Sequence, residues 1–134
     1  MAFVVDASVA CAWVFVDEAT PALDDLLDRA IGEEVFVPTL WRSEVLNTLI
    51  QACRRKRITE TEILEFWYNL EALNITESPY NPSPAQIIEL CQKHSLTAYD
   101  AHYLALAMWL KIPLATLDSQ LATAAKQEGI TVLG

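Results

Sequence analysis

Glycine, histidine and positive charge are all scarce in this sequence. Three glycines and two histidines occur in 134 residues, and nine Lys and Arg stand against 18 Asp and Glu. So little glycine excludes a low-complexity or linker-dominated chain. Cysteine is almost as rare: Cys11, Cys53 and Cys91 are odd in number, far apart and form no CxxC pair. With so few histidines to help, a zinc centre of the usual kind is not to be expected. The thiols read as small buried side chains in a reducing compartment. Long apolar runs are missing too. Each is broken well before the ~20 residues that a membrane-spanning helix needs. The start, Met1-Ala2-Phe3-Val4-Val5-Asp6, lacks the basic flank of a signal peptide. The expectation is a soluble, cytoplasmic protein with no membrane contact.

What the sequence does have is core. Its hydrophobic fraction of 53% is ample for one ordinary domain spanning residues 1–134. The formal charge of −9 argues against a broad polyanion-binding surface. The charge is unevenly placed, however. Four of the nine basic residues are consecutive, Arg54-Arg55-Lys56-Arg57. Acidic residues crowd Asp17 to Glu34 and Glu60 to Glu77. An acidic site can still approach a phosphate if bound cations neutralise it.

The pattern alternates short apolar runs with amphipathic stretches. Phe3-Val4-Val5 reads as a buried strand ending at Asp6. Asp6 or Ser8 can cap a helix carrying Val9, Ala12, Trp13 and Val16. Thr20-Pro21 opens a second helix, which Gly32 ends. Val35-Phe36-Val37 is the next strand, closed by Pro38. Trp41 to Arg57 reads as one long helix, its basic end suited to the negative end of the helix dipole. Thr59-Glu60-Thr61-Glu62 is a capping box for the helix after it. Leu73 to Thr76 alternates as a third strand, and the proline-rich stretch Ser78 to Pro84 is a connection. Helices follow over Ala85 to His94 and Thr97 to Leu110, the latter hydrophobic nearly all round and so deeply buried. Leu114-Ala115-Thr116 is a strand, Asp118 to Glu128 a helix stopped by Gly129, and Ile130 to Leu133 a last strand. Strands separated by helices imply a parallel sheet of about five strands inside a three-layer α/β/α sandwich.

Four carboxylates occupy places that bear on chemistry. Ligands of such sheets bind beyond the carboxyl ends of the strands. Asp6 ends the first strand and Asp118 follows the fourth, so both should meet at one sheet edge. Glu44 lies in the first turns of a helix that is otherwise apolar on its inner face, and Asn47, three residues on, shares its side. Asp100 opens the most hydrophobic helix, where a carboxylate is costly unless it caps, pairs or binds a metal. Asp6, Asp100 and Asp118 also have a plain structural reading, as helix caps or a first-turn charge. Together, four convergent carboxylates would repel one another unless divalent cations sat between them. Oxygen donors without thiolate or imidazole suit magnesium, with manganese able to substitute.

These residues resemble the motifs of a known family almost end to end. Val4-Val5-Asp6-Ala7-Ser8-Val9-Ala10 looks like the first motif of PIN-domain proteins, and within them of VapC-type toxins. Val37-Pro38 with Glu44-Val45-Leu46-Asn47 looks like the second. Leu96-Thr97-Ala98-Tyr99-Asp100-Ala101 with Tyr103-Leu104-Ala105-Leu106-Ala107 looks like the third, and Pro113 to Asp118 like the fourth. The resemblance implies a PIN-like fold and metal-dependent cleavage of RNA. It implies Asp6, Glu44, Asp100 and Asp118 as the acidic quartet, with Asp6 and Asp100 the most direct metal ligands. Ser8, Asn47 and Thr116 match supporting polar positions that orient carboxylates or water. It also implies an antitoxin protein as partner, and a homodimer. Arg54, Arg55, Lys56 and Arg57 then have two readings, as the charged end of a helix or as an RNA contact.

Three other classes compete with this reading. A dehalogenase-like phosphotransferase wants a second Asp two residues after the first, where Ser8 stands. A receiver-type phosphoacceptor wants a strand-end lysine that is missing. A housekeeping PIN nuclease or a non-catalytic PIN-like association module remains open, with Trp13, Trp41, Trp67 and Trp109 as its partner groove or, in the plainer reading, as core. His102, two residues after Asp100, should point away from it and reads as partly buried structure.

Overall fold

A computed structural model describes the whole chain, residues 1–134. The elements run β1 (Ala2–Val5), α1 (Ala7–Val14), a 3-10 turn (Val16–Glu18), α2 (Pro21–Gly32), β2 (Glu34–Pro38), α3 (Trp41–Arg54), α4 (Glu60–Glu71), β3 (Ile75–Ser78), α5 (Pro84–His94), α6 (Ala98–Leu110), β4 (Leu114–Ala115), α7 (Ser119–Gln127) and β5 (Val132–Leu133). The five strands form one parallel sheet in the order β3-β2-β1-β4-β5. Helix α6 lies on the sheet against β1, β2 and β4, with α5 and α7 beside it. Helix α1 packs with α2, α3 and α4 in the other layer. This is the α/β/α sandwich that the alternation of strands and helices predicts.

Local chemistry starts the helices. Asp6, Thr20, Thr59, Ser83, Thr97 and Asp118 each accept a backbone N–H as the N-cap. Thr59 and Glu62 complete the reciprocal capping box. Each cap contributes ~1 kcal/mol.

Helix ends show what the shortage of glycine costs. Four helices close on a left-handed residue, yet only one of these is glycine: Gly129, with φ 79°, after α7. Lys56, Ser95 and Lys111 take φ of 60°, 56° and 57° after α3, α5 and α6. In each case the following N–H reaches back across the turn, Arg57 to the Ala52 carbonyl, Leu96 to Cys91, Ile112 to Ala107 and Ile130 to Ala125. That bond satisfies a last-turn carbonyl and reverses the chain. It also corrects the expected extent of the third helix. The helix stops at Arg54 instead of running through Arg57, because Lys56 turns left-handed and folds Arg57 back. The third strand likewise begins at Ile75, where pairing with Val35 starts, not at Leu73.

The core forms on the sheet. Phe3, Val4 and Val5 are wholly buried, as are Ala101, Leu104, Ala105 and Ala107 of α6. Each large apolar side chain so buried contributes ~1.5–3 kcal/mol. Two tryptophans belong to this interior: Trp41 and Trp67 pack at 5.6 Å. The half-buried Trp13 donates to the Leu23 carbonyl at 3.1 Å. Trp109 is exposed and stacks on Tyr80 at 4.5 Å. No helix is long and apolar enough to cross a membrane.

The strand order positions the site. The chain lays β1, β2 and β3 toward one edge, then crosses to β4 and β5 on the other. β1 and β4 therefore flank the switch point, where open parallel sheets leave a crevice beyond their carboxyl ends.

Candidate active site

Asp6 is the residue that leaves β1 at this crevice, and it is buried. Its backbone N–H donates to the Ala115 carbonyl of β4 at 3.1 Å. Its Oδ1 accepts from the Ser8 hydroxyl at 2.6 Å and from the Val9 N–H at 3.1 Å. Its Oδ2 accepts from the Thr116 hydroxyl at 2.5 Å. Both hydroxyls also accept. Ser8 Oγ takes the Leu117 N–H at 3.1 Å, and Thr116 Oγ1 takes the Asp118 N–H at 3.0 Å. Ser8 and Thr116 thus tie the exits of β1 and β4 together through one carboxylate. Asp118 in turn caps α7, its Oδ1 accepting from Leu121 N–H at 2.9 Å.

Glu44 and Asp100 reach the same cavity from the other elements. Glu44 lies in the first turn of α3 and is half-buried. The Tyr103 hydroxyl donates to its Oε1 at 2.5 Å. Asp100 lies in the first turn of α6, where its backbone N–H donates to the Thr97 hydroxyl at 3.2 Å. Asp6, Glu44, Asp100 and Asp118 all line one cavity of about 500 Å³. Each stands at a helix N-terminus: Asp6 and Asp118 as caps, Glu44 and Asp100 in first turns. The positive ends of four helix dipoles offset part of the cost of gathering these charges.

The offset is incomplete. Burial pushes the Asp6 carboxyl above its ordinary value, opposed by the Ser8, Thr116 and Val9 hydrogen bonds and reinforced by the charge of Asp100. Burial likewise pushes Glu44 up; the Tyr103 hydrogen bond opposes this, and Asp100 and Asp6 add to it. Asp100 is raised by burial and then by Asp118. Desolvation leads in all three, and the neighbouring like charges add to it.

The donor set fits a hard divalent cation. It is all oxygen, and the one thiol on the cavity wall, Cys11, is pushed up to about 12 by burial and stays protonated. Tyr103 is driven up as well, by burial and by Glu44, and remains a donor. Each hydrogen-bonded acid keeps acceptor capacity: one lone pair on Asp6 Oδ2, all of Glu44 Oε2, all of Asp118 Oδ2. In the side-chain positions described, no three acidic, histidine or cysteine side chains close around a single point that would hold an ion.

The supporting residues divide. Ser8 and Thr116 touch Asp6 directly. Asn47 is exposed and lies off the cavity wall, where Thr48 stands instead. Of the basic run only Arg57 lines the cavity; Arg54, Arg55 and Lys56 are exposed elsewhere. His102 Nδ1 lies 2.6 Å from the Ala98 carbonyl, off the cavity wall. Tyr103 is the member to which sequence reasoning gave no role, and Arg57 entered it only as one of the basic run Arg54 to Arg57. Tyr103 had a signal, a hydroxyl placed on the most buried helix, which must find a partner.

Residues 3–127 match the PIN domain. The chain belongs to the PIN domain family. It is 34% identical over 119 residues to ribonuclease VapC12 of Mycobacterium tuberculosis, covering 89% of this chain and 88% of that protein. It is 33% identical over 126 residues to ribonuclease VapC3 of Pyrobaculum aerophilum, covering 91% and 93%. Among solved structures, PAE2754 from Pyrobaculum aerophilum superposes with a TM-score of 0.76 at 20% identity, covering 98% of this chain and 89% of that one. FitAcB from Neisseria gonorrhoeae superposes at 0.59 and 18% identity, covering 98% and 96%. Both share the PIN fold with this chain.

Proposed function

We propose that the chain acts as a single-domain, magnesium-dependent endoribonuclease that hydrolyses RNA phosphodiester bonds, and that it is the toxin of a type II toxin–antitoxin pair. The observation that carries this reading is the meeting of four carboxylates, from four elements, in one cavity at the switch point of the sheet. The relatives named ribonuclease support RNA as the substrate. The resemblance to VapC-type toxins supports an antitoxin and a homodimer.

In this reading Asp6 and Asp100 are the most direct magnesium ligands, Glu44 and Asp118 complete the set, and manganese can replace magnesium. A bound ion of this kind lowers the pKa of water and stabilises charge growing on phosphorus. The chain's own residues prepare the site. Ser8, Val9 and Thr116 hold Asp6 in one orientation with a lone pair free. Tyr103 fixes one oxygen of Glu44 and leaves the other. The helix N-termini favour the phosphate once the carboxylates are neutralised.

Initial rates of cleavage of a labelled single-stranded RNA, followed while magnesium is titrated, test the reading. Activity should require magnesium or manganese and stop in chelator. Full activity in excess chelator would refute it. An antitoxin side chain that places Arg or Lys among the carboxylates should bind in competition with magnesium. Light scattering at micromolar concentration should give the mass of two chains.

A further inference from the structure

Arg57 is the only cationic side chain on the wall of the acidic cavity. It is built into position instead of being left to solvent. The left-handed turn at Lys56 folds it back, and its backbone N–H closes the end of α3 on the Ala52 carbonyl. Its guanidinium lies over the Phe15 ring, 4.1 Å from the centroid. One nitrogen, Nη2, makes all of its ion pairs: to Asp17 at 2.9 and 3.0 Å and to Glu18 at 2.8 Å.

That arrangement leaves three N–H groups unused. A guanidinium carries five, and Nε and Nη1 have no acceptor in the molecule. Both two-pronged edges of a guanidinium, Nε with Nη2 and Nη1 with Nη2, include the occupied Nη2, so these free groups meet an oxyanion singly. The ion pairs of Arg57 go to acids outside the quartet, Asp17 and Glu18. A cation that served to neutralise the quartet would pair with those carboxylates; this one is held by the 3-10 turn and the Phe15 ring.

We propose that Arg57 is a phosphate anchor of the cavity, its free Nη1 donating to a phosphate of the same RNA strand that flanks the one presented to the four carboxylates. The proposal rests on the nuclease reading for its substrate. It assigns to one residue of the basic run a role that Arg54, Arg55 and Lys56, outside the cavity, do not share. Asp17 and Glu18 serve to aim the guanidinium. Lys at this position keeps the charge and loses the planar group that Asp17, Glu18 and the Phe15 ring hold in place.

Two measurements on wild type, Arg57→Gln, Arg57→Lys and Arg54→Gln decide it. The first is binding of a fluorescein-labelled single-stranded RNA in calcium at several salt concentrations, read by anisotropy. The second is steady-state cleavage in magnesium. Arg57→Gln should weaken binding and raise KM by about tenfold, with kcat within about twofold. It should also flatten the dependence of log affinity on log salt by about 0.7, the share of one single-strand phosphate contact. Arg57→Lys should recover the salt slope and only part of the affinity, and Arg54→Gln should change both far less. Unchanged affinity and slope in Arg57→Gln, or a fall in kcat at unchanged KM, would overturn the anchor. If wild type binds RNA without cleaving it, the nuclease reading fails while the binding data still decide the anchor. If wild type neither binds nor cleaves, both fall.

Discussion

Two clusters of buried polar groups in this molecule have opposite electrostatics. In one, the His94 ring, its side chain 2% exposed, lies with Nε2 2.6 Å from Glu128 Oε2. Its Nδ1 is 3.0 Å from Gln127 Oε1. Lys93 Nζ joins Glu128 at 2.9 Å, and together Lys93 and His94 hold the Glu128 carboxyl below its ordinary value. Every charge there is answered from within the chain. In the other, Asp6, Glu44 and Asp100 are all raised, and the carboxylates worsen one another. A chain selected only to fold settles buried charge as the His94 cluster does. Where it leaves like charges together in a crevice, the proposed site takes its answering charge from outside, in keeping with the perturbed protonation common at functional sites.

Exchanging the two behaviours should fail, and the largest effect belongs to the quartet. Asp100→Asn keeps the shape and removes one charge. It should lower the RNA cleavage rate at saturating magnesium by at least ~100-fold, since metal electrostatics supply several kcal/mol of such barriers. The same variant in chelator should melt no lower than wild type, because like-charge repulsion is relieved. His94→Ala should do the reverse. Urea titration should show it ~2 kcal/mol less stable, the usual scale for breaking a buried hydrogen-bonded group, while kcat stays within about twofold. Wild-type rates in Asp100→Asn would end the contrast.

Tyr103→Phe sharpens it. Removing the hydroxyl leaves Glu44 without its one donor, as losses behind a metal ligand do, and should slow cleavage about tenfold with little change in fold. Rates restored by raised magnesium would place the loss in ion affinity instead of in the step that breaks the bond.

The pH dependence of stability separates the clusters further. Asp6 and Glu44, with ordinary values of 3.8 and 4.5, and Asp100 all bind protons more tightly folded than unfolded. Their contribution to stability is therefore full below the ordinary range and is lost as pH rises through the raised values. Glu128 is shifted the other way: its contribution is present above 4.5 and lost below. Above about pH 4.5, then, Asp6, Glu44 and Asp100 set the slope. In chelator the melting temperature should fall as pH rises from there, and saturating magnesium should flatten the fall. A flat profile in chelator would show that these three carboxyls are not raised by folding. The smallest effect lies outside the quartet's cavity. Lys111→Gly relaxes a left-handed residue and should raise stability by ~1 kcal/mol in thermal melts, with no change in activity.

How much of this was legible in the sequence follows the range of the interaction. Asp6 and Asp118 could be brought together because each signal is local, a strand end beside a cap, and because parallel sheets put strand ends on one edge. The capping box at Thr59 and the buried helix ending at Leu110 were readable for the same reason. The turn after Arg54 was not. A Lys in the left-handed region has no local signature, so the helical pattern of the sequence runs on through the basic residues. The Tyr103 to Glu44 bond spans 59 positions and the Arg57 to Asp17 pair spans 40. Nothing in either neighbourhood names its partner. The choice of Thr48 over Asn47 on the cavity wall depends on the rotation of α3, which tertiary packing sets.

The account's central claim is that four carboxylates make one site for a divalent ion. Manganese binding, read from the loss of the free-ion electron paramagnetic resonance signal, tests it without reference to any substrate. Wild type should bind, Asp6→Asn, Glu44→Gln, Asp100→Asn and Asp118→Asn should each weaken binding about tenfold or more, and His94→Ala should bind as wild type does. Equal affinity in wild type and all four quartet variants would contradict the claim.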